Sequence, residues 1–271
     1  MNMRFVLPVL MLAVSMPAAT GCVSSAKPAA SAPATVVLAD AYAAWKANDA
    51  QTAYVHSKGI AGDMRYPDAT RQEAAYVAGK AARKLDRRSE AATLLGQAAQ
   101  SPDKLLRGQA LAEQGMTLNE LQRFKEGAAA LLKATDLLEG EERSLAYFHA
   151  GIAEQKLNYW SDARIHLTNA MRYTADAGLK ADIRRQIDVT GYTLQVGSFA
   201  DADNARRVCG EWRQKTQALR LADPRIVKAK NAVNQDIFVV QVGQFSTYDS
   251  ARARQGLLGA NGGLVVPLWG N

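Results

Sequence analysis

Two short strings hold the side chains of this chain best suited to binding. Gln195-Val196-Gly197-Ser198-Phe199 and Gln241-Val242-Gly243-Gln244-Phe245 place glutamines at matching points, 46 residues apart. The residues around them alternate, Tyr192-Thr193-Leu194-Gln195-Val196 in one copy and Ile237-Phe238-Val239-Val240-Gln241-Val242 in the other. That is the period of a strand with one buried face. With Tyr192, Leu194, Val196, Phe238, Val240 and Val242 turned inward, the outward set is Thr193, Gln195, Ile237, Val239 and Gln241. Amides and hydroxyls donate and accept hydrogen bonds without supplying an activated nucleophile. The chemistry on offer is recognition.

A catalytic constellation is not legible elsewhere. The three histidines, His56, His149 and His166, fall in helical patterns, and no HExxH string occurs. Cys209 sits among Ala205, Val208 and Trp212 and reads as a small buried hydrophobe. Glu90 and Glu126 recur with a repeat described below, which suits turn or helix-surface groups. The chain is therefore expected to be no enzyme and to carry no metal and no cofactor.

The elements that must present the two strings follow from the pattern around them. Asp201 to Asn204 offer a helix start, a helix covers 205–219, and Pro224 precedes a strand at 226–230. The second copy offers a cap at 246–249, a helix at 251–258 and a strand at 264–266. Two βαβ units of this kind fold as an α+β split-βαβ domain, a four-stranded antiparallel sheet with both helices on one face. Phe199 and Phe245 belong to its core, and Gly197 and Gly243 mark backbone requirements at strand ends.

Upstream the period is different. Gly79, Gly115 and Gly151 recur every 36 residues, with Leu85, Leu121 and Leu157, Leu95, Leu131 and Leu167, and Ala98, Ala134 and Ala170 in step. A fixed period of about 35 with small residues at helix crossings marks an all-α array of stacked hairpins. First helices are expected at 69–84, 105–120 and 141–157, and second helices at 88–100, 124–137 and 160–174. A degenerate copy occupies 36–62, with Tyr42, Trp45 and Tyr54 as core aromatics. A last helix near 178–188 caps the open end. Glycine inside a helix costs about 1 kcal/mol relative to alanine, so the three glycines call for a close-packing neighbour.

The N-terminus gives an address. Arg4, an apolar run over 5–16 and the exit Ala19-Thr20-Gly21-Cys22 form a secretory signal. The run is shorter than the roughly 20 residues that span a bilayer. Residues 1–21 are expected to be removed. Residues 22–35, rich in Ala, Ser and Pro, form a tether able to reach about 45 Å when extended. The net charge of +7 and pI near 9.4 favour a polyanionic partner. Export excludes nucleic acid from that role.

Three resemblances sharpen this reading. The Gly, the small residue twelve later, and the Leu and Ala four and seven beyond resemble the tetratricopeptide repeat, although the period here exceeds that family's 34. The family presents a concave groove to a protein partner, which this sequence leaves unknown. Ala19-Thr20-Gly21-Cys22 is similar to a bacterial lipobox, with Ala19 where Leu is usual. That implies acylation of Cys22, palmitate among the chains, and, with Val23 next, the periplasmic side of the outer membrane. QVGSF and QVGQF, each followed by a helix, resemble the SPOR domain over residues 191–271.

The SPOR resemblance implies binding of peptidoglycan glycan strands at division septa, with a preference for strands stripped of stem peptides. It also implies that Gln195 and Ser198 touch glycan. Some members carry tryptophan where this chain has Ile237, and Trp269 beyond the last strand is the available substitute. Thr193, Gln195, Ser198, Ile237, Val239, Gln241 and Trp269 are thus the candidate glycan-binding residues, on a face expected to be open to solvent. Residues 191–271 hold ten Lys/Arg against six Asp/Glu, a net charge of +4 that suits an anionic strand. RNA-recognition domains use a similar sheet but need exposed aromatics that the outward positions lack. The organisation is then signal 1–21, tether 22–35, array 36–190 and SPOR domain 191–271. The expected role is a non-catalytic lipoprotein of cell division or wall remodelling. The other reading is a periplasmic assembly factor for a secretion or pilus machine, stationed at the wall.

Overall fold

A computed structural model describes residues 34–258 and 262–268. The signal segment, Cys22, nearly all of the tether and Trp269 lie outside these residues. The helical part opens with α1 (Ala34–Val37), which begins inside the stretch read as tether. Four hairpins follow: α2 (Ala39–Lys46) with α3 (Ala50–Ala61), and α4 (Asp68–Lys84) with α5 (Arg88–Ala98). Next come α6 (Lys104–Glu120) with α7 (Phe124–Thr135), and α8 (Gly140–Lys156) with α9 (Trp160–Tyr173). Helix α10 (Ala177–Asp188) covers the last hairpin, with Ile183 buried against Leu167 and Ala170.

The 36-residue period has a packing cause. A methyl group added at Gly79, Gly115 or Gly151 would lie 2.7, 2.5 or 2.8 Å from Cγ of Leu95, Leu131 or Leu167. Each glycine lets the leucine sixteen residues on pack directly against the first helix, and all three leucines are fully buried. The hairpin turns repeat as well. Leu85, Leu121 and Leu157 end the first helices, and the residues after them, Asp86, Gln122 and Asn158, adopt φ near +60°. Asn48 does the same in the degenerate hairpin. This left-handed residue lets the next amide bond back to the helix, Arg87 N to Ala82 O and Arg123 N to Leu118 O, both at 2.9 Å.

The C-terminal module runs β1 (Tyr192–Phe199), α11 (Ala202–Ala218), β2 (Arg225–Lys230), β3 (Asp236–Phe245), α12 (Tyr248–Leu257) and β4 (Leu264–Pro267). Its sheet has the order β2-β3-β1-β4 with every pairing antiparallel. Leu194, Val242 and Phe245 pack with Trp212 and Ala251 of the helices, and Val240 packs with Ala205 and Cys209. Both helices therefore cover one face. The Gly-x-Phe ending of each string has a steric reason. A methyl at Gly197 would lie 2.5 Å from the Phe199 ring, and one at Gly243 would lie 2.7 Å from the Phe245 ring.

Side chains tie the end of α10 to α8 and α9 within the array and to β3 of the module. Arg164 of α9 donates to the carbonyls of Ile187 and Thr190 at 2.8 and 2.6 Å. Gln155 donates to Thr190 Oγ1 at 2.5 Å, and Gln244 of β3 to Asp188 O at 2.9 Å. Carbonyls left over at the end of α10 are thus satisfied by α9 at Ile187 and by β3 at Asp188.

Candidate functional site: the sheet face opposite the helices

Register brings the sequence-selected residues together. Gln195 pairs with Gln241, Ser198 with Val239, and Arg225 of β2 with Gln241. Leu264 of β4 pairs with Gln195. One row across all four strands is therefore Arg225, Gln241, Gln195 and Leu264, on the face away from α11 and α12. A second row holds Val227, Val239 and Ser198, and Ile237 lies opposite Ala229. Between Gln195 and Gly197 the register shifts, a bulge that brings Ser198 onto this face.

Depth corrects the expectation of an open surface. Thr193, Gln241 and Val239 are only 0, 2 and 5% exposed. These residues lie on the central strands, where neighbours on both sides enclose short or bonded side chains. The Thr193 hydroxyl donates to the carbonyls of Gly243 and Val242 at 2.9 and 3.2 Å, so it serves the sheet. Gln241 Oε1 accepts from Arg225 Nε at 3.0 Å. Ser198 is exposed, and Gln195 and Ile237 are half-buried. Neither Gln195 nor Ser198 has a side-chain hydrogen bond to another described residue. The accessible set is thus Gln195, Ser198 and Ile237, with two residues the sequence reading passed over, Arg225 and Leu264. Leu264 is 64% exposed. Alternation through Arg225-Ile226-Val227 could have found the arginine, since Ile226 is the inward member. Burial lowers the pKa of Arg225, yet a guanidinium remains cationic in water. The row then offers one cation, one unpaired amide, one hydroxyl and one apolar edge.

The array has a cleft of its own, of about 750 Å³, along α4, α6 and α8. Trp45, Tyr76, Lys80 and Lys84 form one end, and Met116 and Leu145 an apolar wall backed by the buried Leu131 and Leu138. Arg83 spans Glu113 and Glu120, each at 2.7 Å. His149 also lines this cleft, and burial, helped by the nearby Arg83, holds its pKa down to about 4. A histidine so shifted is neutral in the fold and protonates more readily when unfolded. Stability should therefore fall as pH drops from about 6.5 to about 4, by about 3 kcal/mol, and level off below that through this group. Denaturation midpoints compared with those of His149→Phe check this, because the variant should lose that part of the slope.

Elsewhere the remaining candidates are structural. His166 Nδ1 lies 2.7 Å from Glu154 and its ring stacks on Tyr147. Glu90 accepts from Tyr54 and Lys58, and Glu126 pairs with Arg123. Cys209 is buried with Sγ 3.5 Å from Pro224 O. Among the described residues no cluster of His, Cys, Asp or Glu could hold a metal ion, and no helix is long and apolar enough to cross a membrane.

Residues 188–267 match the family model of the SPOR domain. Among solved structures, the chain aligns with a TPR repeats protein from Bacteroides fragilis at 14% identity and a TM-score of 0.37. That alignment covers 70% of this chain and 79% of the other. No curated protein sequence matches.

Proposed function

We propose that this SPOR-domain protein with TPR-like helical repeats is a non-catalytic wall-binding lipoprotein. Its SPOR domain would hold peptidoglycan glycan strands, preferring those without stem peptides. Its repeats would hold a protein partner of cell division or wall remodelling, and acylated Cys22 would fix it to the periplasmic side of the outer membrane. A SPOR domain implies peptidoglycan binding, and helical repeats with a cleft suit a protein segment. The observation that carries the reading is the pair Gln195 and Ser198. Both are accessible on the sheet face opposite the helices, with no side-chain hydrogen bond to another described residue, and the cationic Arg225 lies two strands from Gln195 in the same row. An amide and a hydroxyl can meet sugar hydroxyls and N-acetyl groups, and a guanidinium can meet the lactyl carboxylate left by stem-peptide removal.

The test is sedimentation of the purified full chain with sacculi. Gln195→Lys with Ser198→Ala should leave the circular dichroism unchanged and move the protein from pellet to supernatant. Undiminished pelleting of that folded variant would refute this face as the glycan site. A fluorescent fusion should concentrate at mid-cell and lose that position in cells without wall amidases. A uniform peripheral signal would instead favour an assembly factor acting through the array.

A further inference from the structure

Charge is unevenly distributed along the cleft of the array. In its middle the carboxylates are taken: Glu113 by Arg83 at 2.7 Å, and Glu120 by Arg83 at 2.7 Å and Arg88 at 3.4 Å. Asp86 also pairs with Arg88, at 2.6 Å. At one end two ammonium groups remain over a single indole, Lys80 at 5.2 Å and Lys84 at 5.4 Å from the Trp45 ring. Lys80 reaches Glu113 only at 4.0 Å, where Arg83 already holds the carboxylate. Lys84 donates to the neutral Asn48 side chain. Towards the other end Glu142 accepts from Gln109 at 2.8 Å and has no cationic partner among the described residues. The partly exposed apolar side chains of the cleft are Ala112, Met116 and Leu145, with Leu131, Leu138 and Ala146 buried behind them.

We infer that the cleft takes an extended protein segment with an acidic residue seated at Lys80 and Lys84 and apolar residues along the Met116–Leu145 wall. The inference rests on the reading that the array holds a protein partner, and it specifies that partner's chemistry. An indole face stabilises a cation placed over it. Two cations beside one ring repel each other, and a carboxylate between them removes that repulsion while its neighbours bury apolar side chains. A basic segment would meet the same pair as like charges, and an uncharged one would gain only the apolar contacts. Complementarity of this kind sets specificity and partner choice more than raw affinity.

Selection of random twelve-residue peptides displayed on phage, with the full chain as bait, tests the proposal. Recovered peptides should share an Asp or Glu flanked by apolar residues. Synthetic copies should bind Lys80→Ser/Lys84→Ser at least tenfold more weakly in fluorescence anisotropy. Replacing the acid by Gln should weaken binding to the native chain by a similar factor and leave binding to the double variant unchanged. Lys84 is exposed whereas only 17% of the Lys80 side chain is, so Lys84→Ser alone should keep the native circular dichroism and still weaken binding of the acidic peptides. Peptides that lack an acidic residue, or that bind both proteins equally, overturn this inference while leaving a peptide-binding array intact. Failure to recover any peptide overturns both.

Discussion

Replacing Gly115 by valine should destabilise the repeat array by about 3 kcal/mol or more, read as a lower urea midpoint at 222 nm. A methyl there would sit 2.5 Å from Leu131 Cγ, 2.8 Å from Gly127 O and 3.1 Å from Leu131 N. Two of those three atoms are backbone, so relief requires α7 to move as a body. Alanine gains about 1 kcal/mol of helix propensity over glycine, and it should still lose stability against contacts that close. Gly79→Ala should be milder, because its nearest obstacles at 2.7 and 3.0 Å belong to the Leu95 side chain. At Gly210, inside α11, nothing lies within 4 Å of the added methyl. Gly210→Ala should therefore stabilise the SPOR module, by up to about 1 kcal/mol. Each repeat contacts only its neighbours, so a broken central crossing should also separate the unfolding of the two halves of the array and lower the apparent cooperativity. Gly115→Val with a native midpoint, or Gly210→Ala as damaging as Gly115→Ala, would contradict the close-packing explanation of the period.

That period made the array legible, because its determinants are local and identical in each copy. Gly79 and Leu95, Gly115 and Leu131, and Gly151 and Leu167 meet at a constant sixteen-residue separation, so one geometry imprints the same residues three times. Helix limits came out within a residue or two for the same reason. The four-stranded sheet was readable from the duplicated string, since alternation fixes which side of a strand faces the helices. Alternation says nothing of depth. Thr193, Val239 and Gln241 do point away from the helices, yet they lie between flanking strands whose order emerges only from pairing. The partnership of Arg225 with Gln241 joins different strands for the same reason. In the cleft, Arg83 meets Glu113 and Glu120, 30 and 37 residues on, because α4 packs beside α6. No spacing rule within one helix reports such pairs.

The two matching glutamines should consequently behave in opposite ways. Gln241 is buried and accepts a hydrogen bond from Arg225, so Gln241→Ala removes a buried acceptor and leaves a void. The expected loss is about 1–3 kcal/mol of module stability. At a temperature where the variant remains folded, its pelleting with sacculi should stay close to native. Gln195 is half-buried with no side-chain partner among the described residues, so Gln195→Ala should change stability by no more than about 0.5 kcal/mol. A hydrogen bond to glycan worth about 1.4 kcal/mol would instead appear as a roughly tenfold weaker association. Thermal melts and sacculus binding measured on the same two proteins separate these effects. Should Gln241→Ala melt like the native chain and lose the wall, while Gln195→Ala keeps it, the ligand would be reading Gln241 on β3 and the accessible Gln195 would not be part of the site.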